Sequence, residues 1–212
     1  MSDLVHGLSG DFLARFLGGM ALNFEIAAIA LLIGLALGFV LALGRLAGGV
    51  AGAASLSLVS LMRAAPTFVV MFFLLNALPR DATLFGRPFA LSGVMTVALS
   101  LVPYSAAYVG DAAFDALRHL RAGTTHGALL FLPNVTRAFF VLVMSSSAGA
   151  AIGVTEAITV ILRAAEHLPE LGDRLVLFAL GIVLFGIPLQ VAFALIGAIQ
   201  RRVARVTAAR AM

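Results

Sequence analysis

The sequence predicts an all-α membrane protein of about five transmembrane helices, and its composition, hydropathy and charge placement all indicate this class. Of the 212 residues, 62% are hydrophobic and only 11% are charged, which is too little charge for the surface of a water-soluble domain. All 14 basic residues are arginine. They are scattered between apolar runs and not clustered on one face, so the composition does not indicate a nucleic-acid-binding protein.

Five apolar stretches are long enough to cross about 30 Å of hydrocarbon, which takes roughly 20 helical residues. The predicted spans are 22–44, 53–78, 88–110, 133–161 and 175–199. We expect a bend near Pro66 and a kink at Pro103, because proline interrupts the hydrogen bonds of a helix. The fourth stretch is too long for one straight span. No repeat or linker divides the chain, so we expect a single transmembrane domain over residues 1–212.

The arginines also predict the orientation, since cytoplasmic loops carry the excess of basic residues. A cytoplasmic C-terminus would place nine arginines on that side, and five spans would then put the N-terminus outside. The nine are Arg45, Arg63, Arg118, Arg121, Arg137, Arg201, Arg202, Arg205 and Arg210. The outer side keeps five arginines diluted by six acidic residues. Within residues 1–20 apolar side chains recur every fourth position, which predicts either an interfacial amphipathic helix or the start of the first span.

Two places in the spans carry polar residues that could line a solute pathway. Arg63 lies within an apolar stretch, where it lines the path, pairs across a dimer or reaches towards the cytoplasmic headgroups. Ser145, Ser146 and Ser147 precede Glu156 in a segment rich in small and hydroxyl-bearing residues. Such a segment forms either an irregular or re-entrant backbone along an aqueous path or a close contact between helices.

A third group of polar residues follows the third span. Asp115, Arg118 and Arg121 are spaced three apart and share one helix face, with Asp111 and His119 beside them. This face is either a docking surface for a cytoplasmic partner or a solvated helix end.

The sequence offers no catalytic or metal-binding residues. The chain has no cysteine, and no acidic residue or cysteine completes a ligand set with His119 and His126. Without lysine, a phosphate-binding loop of the G-x-x-x-x-G-K-[ST] type is also excluded. The glycine pairs Gly34-x-x-x-Gly38 and Gly149-x-x-x-Gly153 permit a close approach of helices.

Five short segments, taken in order along the chain, carry a family resemblance. They are Arg63-Ala64-Ala65-Pro66, Ala107-Tyr108 with Asp111, Gly123 with Ala128, Leu132-Pro133-Asn134 with Arg137, and Ile152-Gly153-Val154-x-Glu156. Together they resemble the permease (transmembrane) subunits of polar amino-acid uptake ABC transporters, which are type I ABC importers. The matching family motifs include Arg-Gly-Thr-Pro, Ala-Tyr-x-x-Glu, the start of the EAA loop and Leu-Pro-Gln-x-x-Arg.

The chain departs from the family pattern in the loop that meets the ATPase. The EAA loop is shortened between Gly123 and Leu132, and Thr124 and His126 replace its Gln and Glu. Phe114 stands where the family has an arginine after the Ala-Tyr-x-x-Glu segment. Uncharged residues also replace the Lys-Asp of a fourth-span motif.

The resemblance implies a permease subunit without enzymatic activity or a bound cofactor of its own, located in the bacterial inner membrane. It would dimerise with itself or a sister permease, dock an ATP-binding cassette ATPase that supplies the energy of ATP, and receive amino acids or similar small polar solutes from an extracytoplasmic solute-binding protein. The ATPase-docking loop would contain Arg118, His119, Arg121, Gly123, Thr124, His126 and Ala128.

Two alternatives to a complete transport subunit remain. A subunit that no longer transmits ATPase motion could lose the docking helix, so the shortened loop also fits a non-coupling scaffold or the passive half of a heterodimeric permease. A secondary transporter driven by an ion gradient is less favoured, because only Glu156 is placed to carry a proton within a span and the sequence shows no inverted repeat.

Overall fold

The structure is a computed structural model that describes residues 11–77, 83–84, 87–88, 91–124 and 129–210. The first helix, α1 (Phe12–Ala47), is long enough to extend about 54 Å. It contains no proline, and its one acidic residue, Glu25, is exposed. From Phe12 onwards the predicted interfacial segment is therefore part of this continuous helix, while residues 1–10 lie outside the described residues. Gly48 (φ 70°) and Gly49 (φ 56°) end α1 in a left-handed turn that favours glycine.

The predicted second span is broken into two helices, α2 (Gly49–Ala64) and α3 (Thr67–Ala77), whose axes differ by 93°. We expected one bent helix over 53–78. The break is sharper because the residue before a proline is excluded from helical geometry, and Ala65 is extended (φ −73°, ψ 113°) before Pro66. The Pro66 carbonyl then accepts the Val70 N–H at 3.1 Å, which starts α3.

After α3, the two-residue strands β1 (Thr83–Leu84) and β2 (Arg87–Pro88) pair antiparallel, with Thr83 opposite Pro88. The helix α4 (Gly93–Arg121) starts where the Ser92 side chain accepts the Met95 N–H at 3.2 Å. It begins and ends later than the predicted span 88–110 and runs through Pro103.

The predicted fourth stretch, 133–161, is also interrupted. The helix α5 (Phe131–Ser145) continues as a 3₁₀ helix (Ser146–Ile152), and Gly153 then adopts the left-handed conformation (φ 82°). Non-helical backbone leads through Glu156 to α6 (Ala157–Glu166). Gly153 therefore serves the turn, since no neighbouring side chain of the described residues lies within 4 Å of where its Cβ would be, whereas Gly149 faces Val154 and Val97. The last helix is α7 (Leu171–Arg210).

The chain divides into two units, residues 21–156 and residues 1–20 with 157–212. In the first unit α4 is the central helix, because α2, α3, α5 and the 3₁₀ helix all contact it. In the second unit α6 packs on α7, and Gly181 of α7 admits the Ile161 side chain. Most apolar side chains of α7 are exposed, up to 75% at Ile182, as expected for a surface that faces lipid or another membrane helix.

The helices α1 and α4 run parallel in very close contact. A Cβ on Gly34 would overlap Ser105 Oγ, and a Cβ on Gly38 would come within 2.7 Å of Val109 Cγ1. Further along both helices Arg121 Nη1 donates to the Leu46 carbonyl at 3.4 Å. The Gly34-x-x-x-Gly38 pair thus lies at a real helix contact, of the kind that small residues permit in membranes.

The parallel arrangement of α1 and α4 shows whether the bent pair α2 and α3 is one transmembrane span. Four helices are long and apolar enough to cross a bilayer, at 12–47, 93–121, 131–152 and 171–199. Since α1 and α4 both cross and end on the same side, the chain between them must return across the bilayer. The pair α2 and α3, with the residues that follow it, is therefore a broken span, and the prediction of about five transmembrane helices is confirmed.

Candidate functional site

Two polar clusters lie within the unit 21–156. The first, here called the break cluster, consists of Asn23, Ser146 and Glu156, all with 0% exposure. Asn23 Nδ2 donates to Ser146 Oγ at 2.8 Å and to Glu156 Oε2 at 3.2 Å. Ser146 begins the 3₁₀ helix and Glu156 ends the non-helical stretch. One amide on α1 thus contacts both ends of the interruption in the fourth span.

The serines of this span differ in their surroundings because helical residues are rotated by about 100° from one to the next. Ser146 is the member directed into the interior, and its Oγ donates to the Val143 carbonyl at 2.7 Å. Ser145 and Ser147 are half-buried. Of the three predicted pathway serines, the structure therefore brings one to Glu156.

The second group, here called the arginine cluster, joins α1, α2 and α4. Arg45 Nη1 donates to Asp111 Oδ1 at 2.6 Å, and Arg63 Nη2 donates to the other carboxylate oxygen, Oδ2. The Arg45 guanidinium also lies over the Phe114 ring at 4.0 Å from the centroid, and that of Arg118 lies at 5.7 Å. Directly beneath the cluster Leu41, Val59 and Ala107 form a buried apolar contact of the same three helices.

The two arginines of this cluster are held differently. The side chain of Arg45 is 15% exposed, and that of Arg63 is 63% exposed. Arg45 Nε is buried and has no hydrogen-bond partner within the described part of the chain. A charge pair with one nearly buried member is costly to separate, whereas an exposed pair contributes little. Arg45 is thus the more firmly held partner of Asp111, whereas water can compete with Arg63 for the same carboxylate.

The predicted pathway residues therefore fall into separate places. Ser146 and Glu156 belong to the break cluster, and Arg63 binds Asp111 in the arginine cluster. Sequence reasoning missed Asn23 and Arg45. Asn23 carried a signal, as it is a strong hydrogen-bonding side chain within a long apolar helix. Arg45 was considered only as one of the nine arginines expected on the cytoplasmic side.

The predicted ATPase-docking segment is described in part, since His126 and Ala128 lie outside the described residues. Arg118, His119 and Arg121 form the last turn of α4. Thr124 closes that turn, as both its N–H and its hydroxyl donate to the His119 carbonyl at 2.9 Å. Gly123 lies in the left-handed region (φ 75°). Only residues 122–130 connect α4 to α5.

A metal centre is not apparent in what the structure describes, where no group of three or more His, Cys, Asp or Glu side chains lies together. The chemistry available at the two clusters is that of hydrogen bonds and ion pairs inside a membrane protein.

Comparison with known proteins identifies the fold. A chain from a crystal structure of an amino acid ABC transporter with histidines aligns with this one at a TM-score of 0.65 and 17% sequence identity, over 91% of this chain and 95% of that chain. The two chains share a fold. The fold predicted from the sequence motifs, that of a membrane chain of an amino acid ABC transporter, is thereby confirmed. No protein-family model and no curated protein matches the sequence.

Proposed function

We propose that this chain is the membrane-spanning permease subunit of an ABC importer for amino acids or similar small polar solutes, in the inner membrane of a bacterium. The observation that carries the proposal is the shared fold over 91% of the chain with part of an amino acid ABC transporter. A fold alone does not determine function. The two clusters supply further support.

The arginine cluster supports the proposal because it joins two of the motifs that carry the resemblance. Arg63 belongs to the segment Arg63-Ala64-Ala65-Pro66, and Asp111 follows Ala107-Tyr108. The two segments are far apart in the sequence, yet their charged residues form an ion pair. A chance likeness of short segments would not bring their side chains together.

The break in the fourth span supports a role in transport. Irregular backbone inside a membrane protein is tolerated where it is buried in protein or lines an aqueous cavity, and transporters use such breaks at solute sites. Here the break begins at Ser146 and ends at Glu156, next to Asn23 of α1. In the proposed mechanism solute passes this region by alternating access, as ATP binding to a partner ATPase favours one packing of the helices over another.

The partners follow from the same proposal. An ATP-binding cassette ATPase would contact the last turn of α4 and residues 122–130, and an extracytoplasmic solute-binding protein would deliver the solute. A second copy or a sister permease would complete the pathway. ATP hydrolysis resides in the ATPase, so this chain is not itself an enzyme.

A second candidate function is the passive half of a heterodimeric permease or a non-coupling scaffold. The short connection between α4 and α5 favours it, since only residues 122–130 separate the two helices in the sequence. In that case a sister permease with a full loop would carry the ATPase contact.

Mild detergent extraction of the tagged chain from its native host, followed by mass spectrometry of stoichiometric partners, tests both proposals. An ATPase and a binding protein without a second permease would establish a coupling homodimer. Recovery of a second permease with the ATPase would establish the heterodimer. If no ATPase is recovered under conditions that preserve a known ABC importer from the same membranes, ATP coupling is excluded.

A further inference from the structure

We infer that Asn23 is a positioning residue: its side chain on α1 holds the interruption of the fourth span in its observed conformation and orients Glu156 and Ser146. The role of this conformation in solute movement rests on the proposed function, whereas the positioning itself does not. The basis is the placement of one amide between the first residue of the 3₁₀ helix and the last residue before α6.

The chemistry of asparagine fits this task. A side-chain amide nitrogen carries two N–H donors, so it can serve two acceptors at once. Asn23 Nδ2 has two acceptors within reach, at 2.8 Å and 3.2 Å. A hydroxyl would supply one donor and a carboxylate none. Apart from glutamine, whose longer side chain would overfill a fully buried site, neutral side chains common in membrane helices do not offer this pair of donors from a single atom.

The backbone hydrogen bonds that the structure describes within the interruption join close neighbours, with Gly153 N–H donating to Ala150 O at 3.2 Å and Val154 N–H donating to Gly149 O at 3.0 Å. A 3₁₀ helix has poorer hydrogen-bond geometry than an α-helix and is uncommon at this length. The contacts of Asn23 reach across more than 120 residues of sequence, from 23 to 146 and from 23 to 156. They therefore connect the conformation of the break to the position of α1.

Hydrogen–deuterium exchange of the purified full-length chain in lipid nanodiscs tests the inference. In Asn23→Asp a carboxylate faces Glu156 and both donors are lost. We expect peptides covering residues 146–156 to exchange about tenfold faster or more, because Ser146 and Glu156 lose their hydrogen bonds from Asn23, while peptides of α4 keep their rates. The matched control is Asn76→Asp. Asn76 is exposed on α3, and among the described residues its amide donates within its own helix, to the Phe72 carbonyl.

The double variant Asn23→Asp with Glu156→Gln exchanges donor and acceptor, so the amide at position 156 can donate to the carboxylate at position 23. We expect it to restore slow exchange in 146–156. Faster exchange that spreads equally to α4, or a double variant no better than the single one, would overturn the inference. If Asn23→Asp does not fold, Ser146→Ala compared with Ser147→Ala provides the milder pair, and equal exchange in the two would overturn it as well.

Transport measurements separate this inference from the proposed function. In proteoliposomes containing the co-purified complex, Asn23→Asp is expected to raise KM for solute at least about fivefold, and the double variant to return it towards the native value. If native complex shows no ATP-dependent uptake while the exchange results hold, the proposed function fails and the positioning role stands. If uptake is native-like in Asn23→Asp, the break does not govern solute binding and the inference is wrong in its functional part.

Discussion

Asp111 shares its two carboxylate oxygens between two arginines in different surroundings, and this difference governs the effect of substitutions. Arg45 is largely buried, lies against Phe114 and bonds Asp111 at 2.6 Å. Arg63 reaches the same carboxylate from a mostly exposed position. Removing the buried arginine leaves Asp111 without its shielded partner, whereas removing the exposed one lets water replace it.

We predict that Arg45→Gln lowers the free energy of unfolding by about 1–3 kcal/mol, whereas Arg63→Gln lowers it by about 1 kcal/mol or less. Denaturant unfolding of the purified chain in mixed micelles, followed by circular dichroism, measures both. Added salt should weaken the Arg63 contribution more, because screening acts on exposed charges. Equal losses of unfolding free energy in the two variants would contradict the conclusion that Arg45 is the more firmly held partner of Asp111.

At this scale the sequence indicated which residues were unusual but not which of them meet. Arg63, Ser146 and Glu156 stood out because charged and hydroxyl groups are rare in apolar stretches. Their partners Asn23 and Asp111 lie in other helices, and only the packing of α1 and α4 brings them into reach. Asn23 went unnoticed because it is neutral and leaves the hydropathy of α1 almost unchanged.

The helices themselves were predictable from apolar length, and their interruptions were less so. Proline predicted some disturbance at Pro66 and at Pro103, yet the first ends a helix and the second lies inside one. The helix α4 continues through Pro103 and is contacted by α2, α3, α5 and the 3₁₀ helix, whereas α2 and α3 lie at 93° to each other on either side of Pro66. The 3₁₀ segment had only its serines and glycines as a signal.

The angle between α2 and α3 can be measured directly because the chain has no native cysteine. Val50→Cys and Phe73→Cys introduce exposed labelling sites on the two helices for electron paramagnetic resonance distance measurement. A right-angle break predicts Cα atoms about 26 Å apart, and a straight helix about 35 Å. We expect the shorter distance in the native background and an added longer-distance population in Pro66→Ala, which restores the missing N–H.

Pro103→Ala serves as the control for this measurement, since α4 already continues through that position. A native distance near the straight-helix value would contradict the break. No change in Pro66→Ala would show that packing on α4, and not the proline, determines the angle.

For the whole molecule, composition alone was sufficient to predict a polytopic helical membrane protein, and ordered motifs were sufficient to predict its fold. The close contact between α1 and α4 could not be predicted, because the motifs carry no information on which helices touch. It depends on Gly34 and Gly38, whose missing side chains let Ser105 and Val109 approach. Glycine pairs are frequent in such a sequence, so the contact was visible only in three dimensions.

The predicted orientation gives a test on the intact protein. Val50 follows α1 on the side expected to be cytoplasmic, and Glu170 precedes α7 on the side expected to be outside. In cells, a membrane-impermeant maleimide should label Glu170→Cys directly and Val50→Cys only after permeabilisation. The cysteine-free parent chain provides the background. The reverse pattern would show that the arginine distribution misassigns the sides.

The close contact at Gly34 has a mechanical consequence for α1. Asn23 lies eleven residues before Gly34 and Arg45 eleven residues after it, so each is about 16 Å from this point along the helix. Gly34 therefore lies midway between two hydrogen-bonded residues of one continuous helix. A rigid tilt of α1 by about 3.5° about Gly34 would shift Asn23 and Arg45 by about 1 Å in opposite directions, which is enough to break a hydrogen bond at each. The hydrogen bonds of Asn23 to the break cluster and of Arg45 to Asp111 would then be strained or broken together.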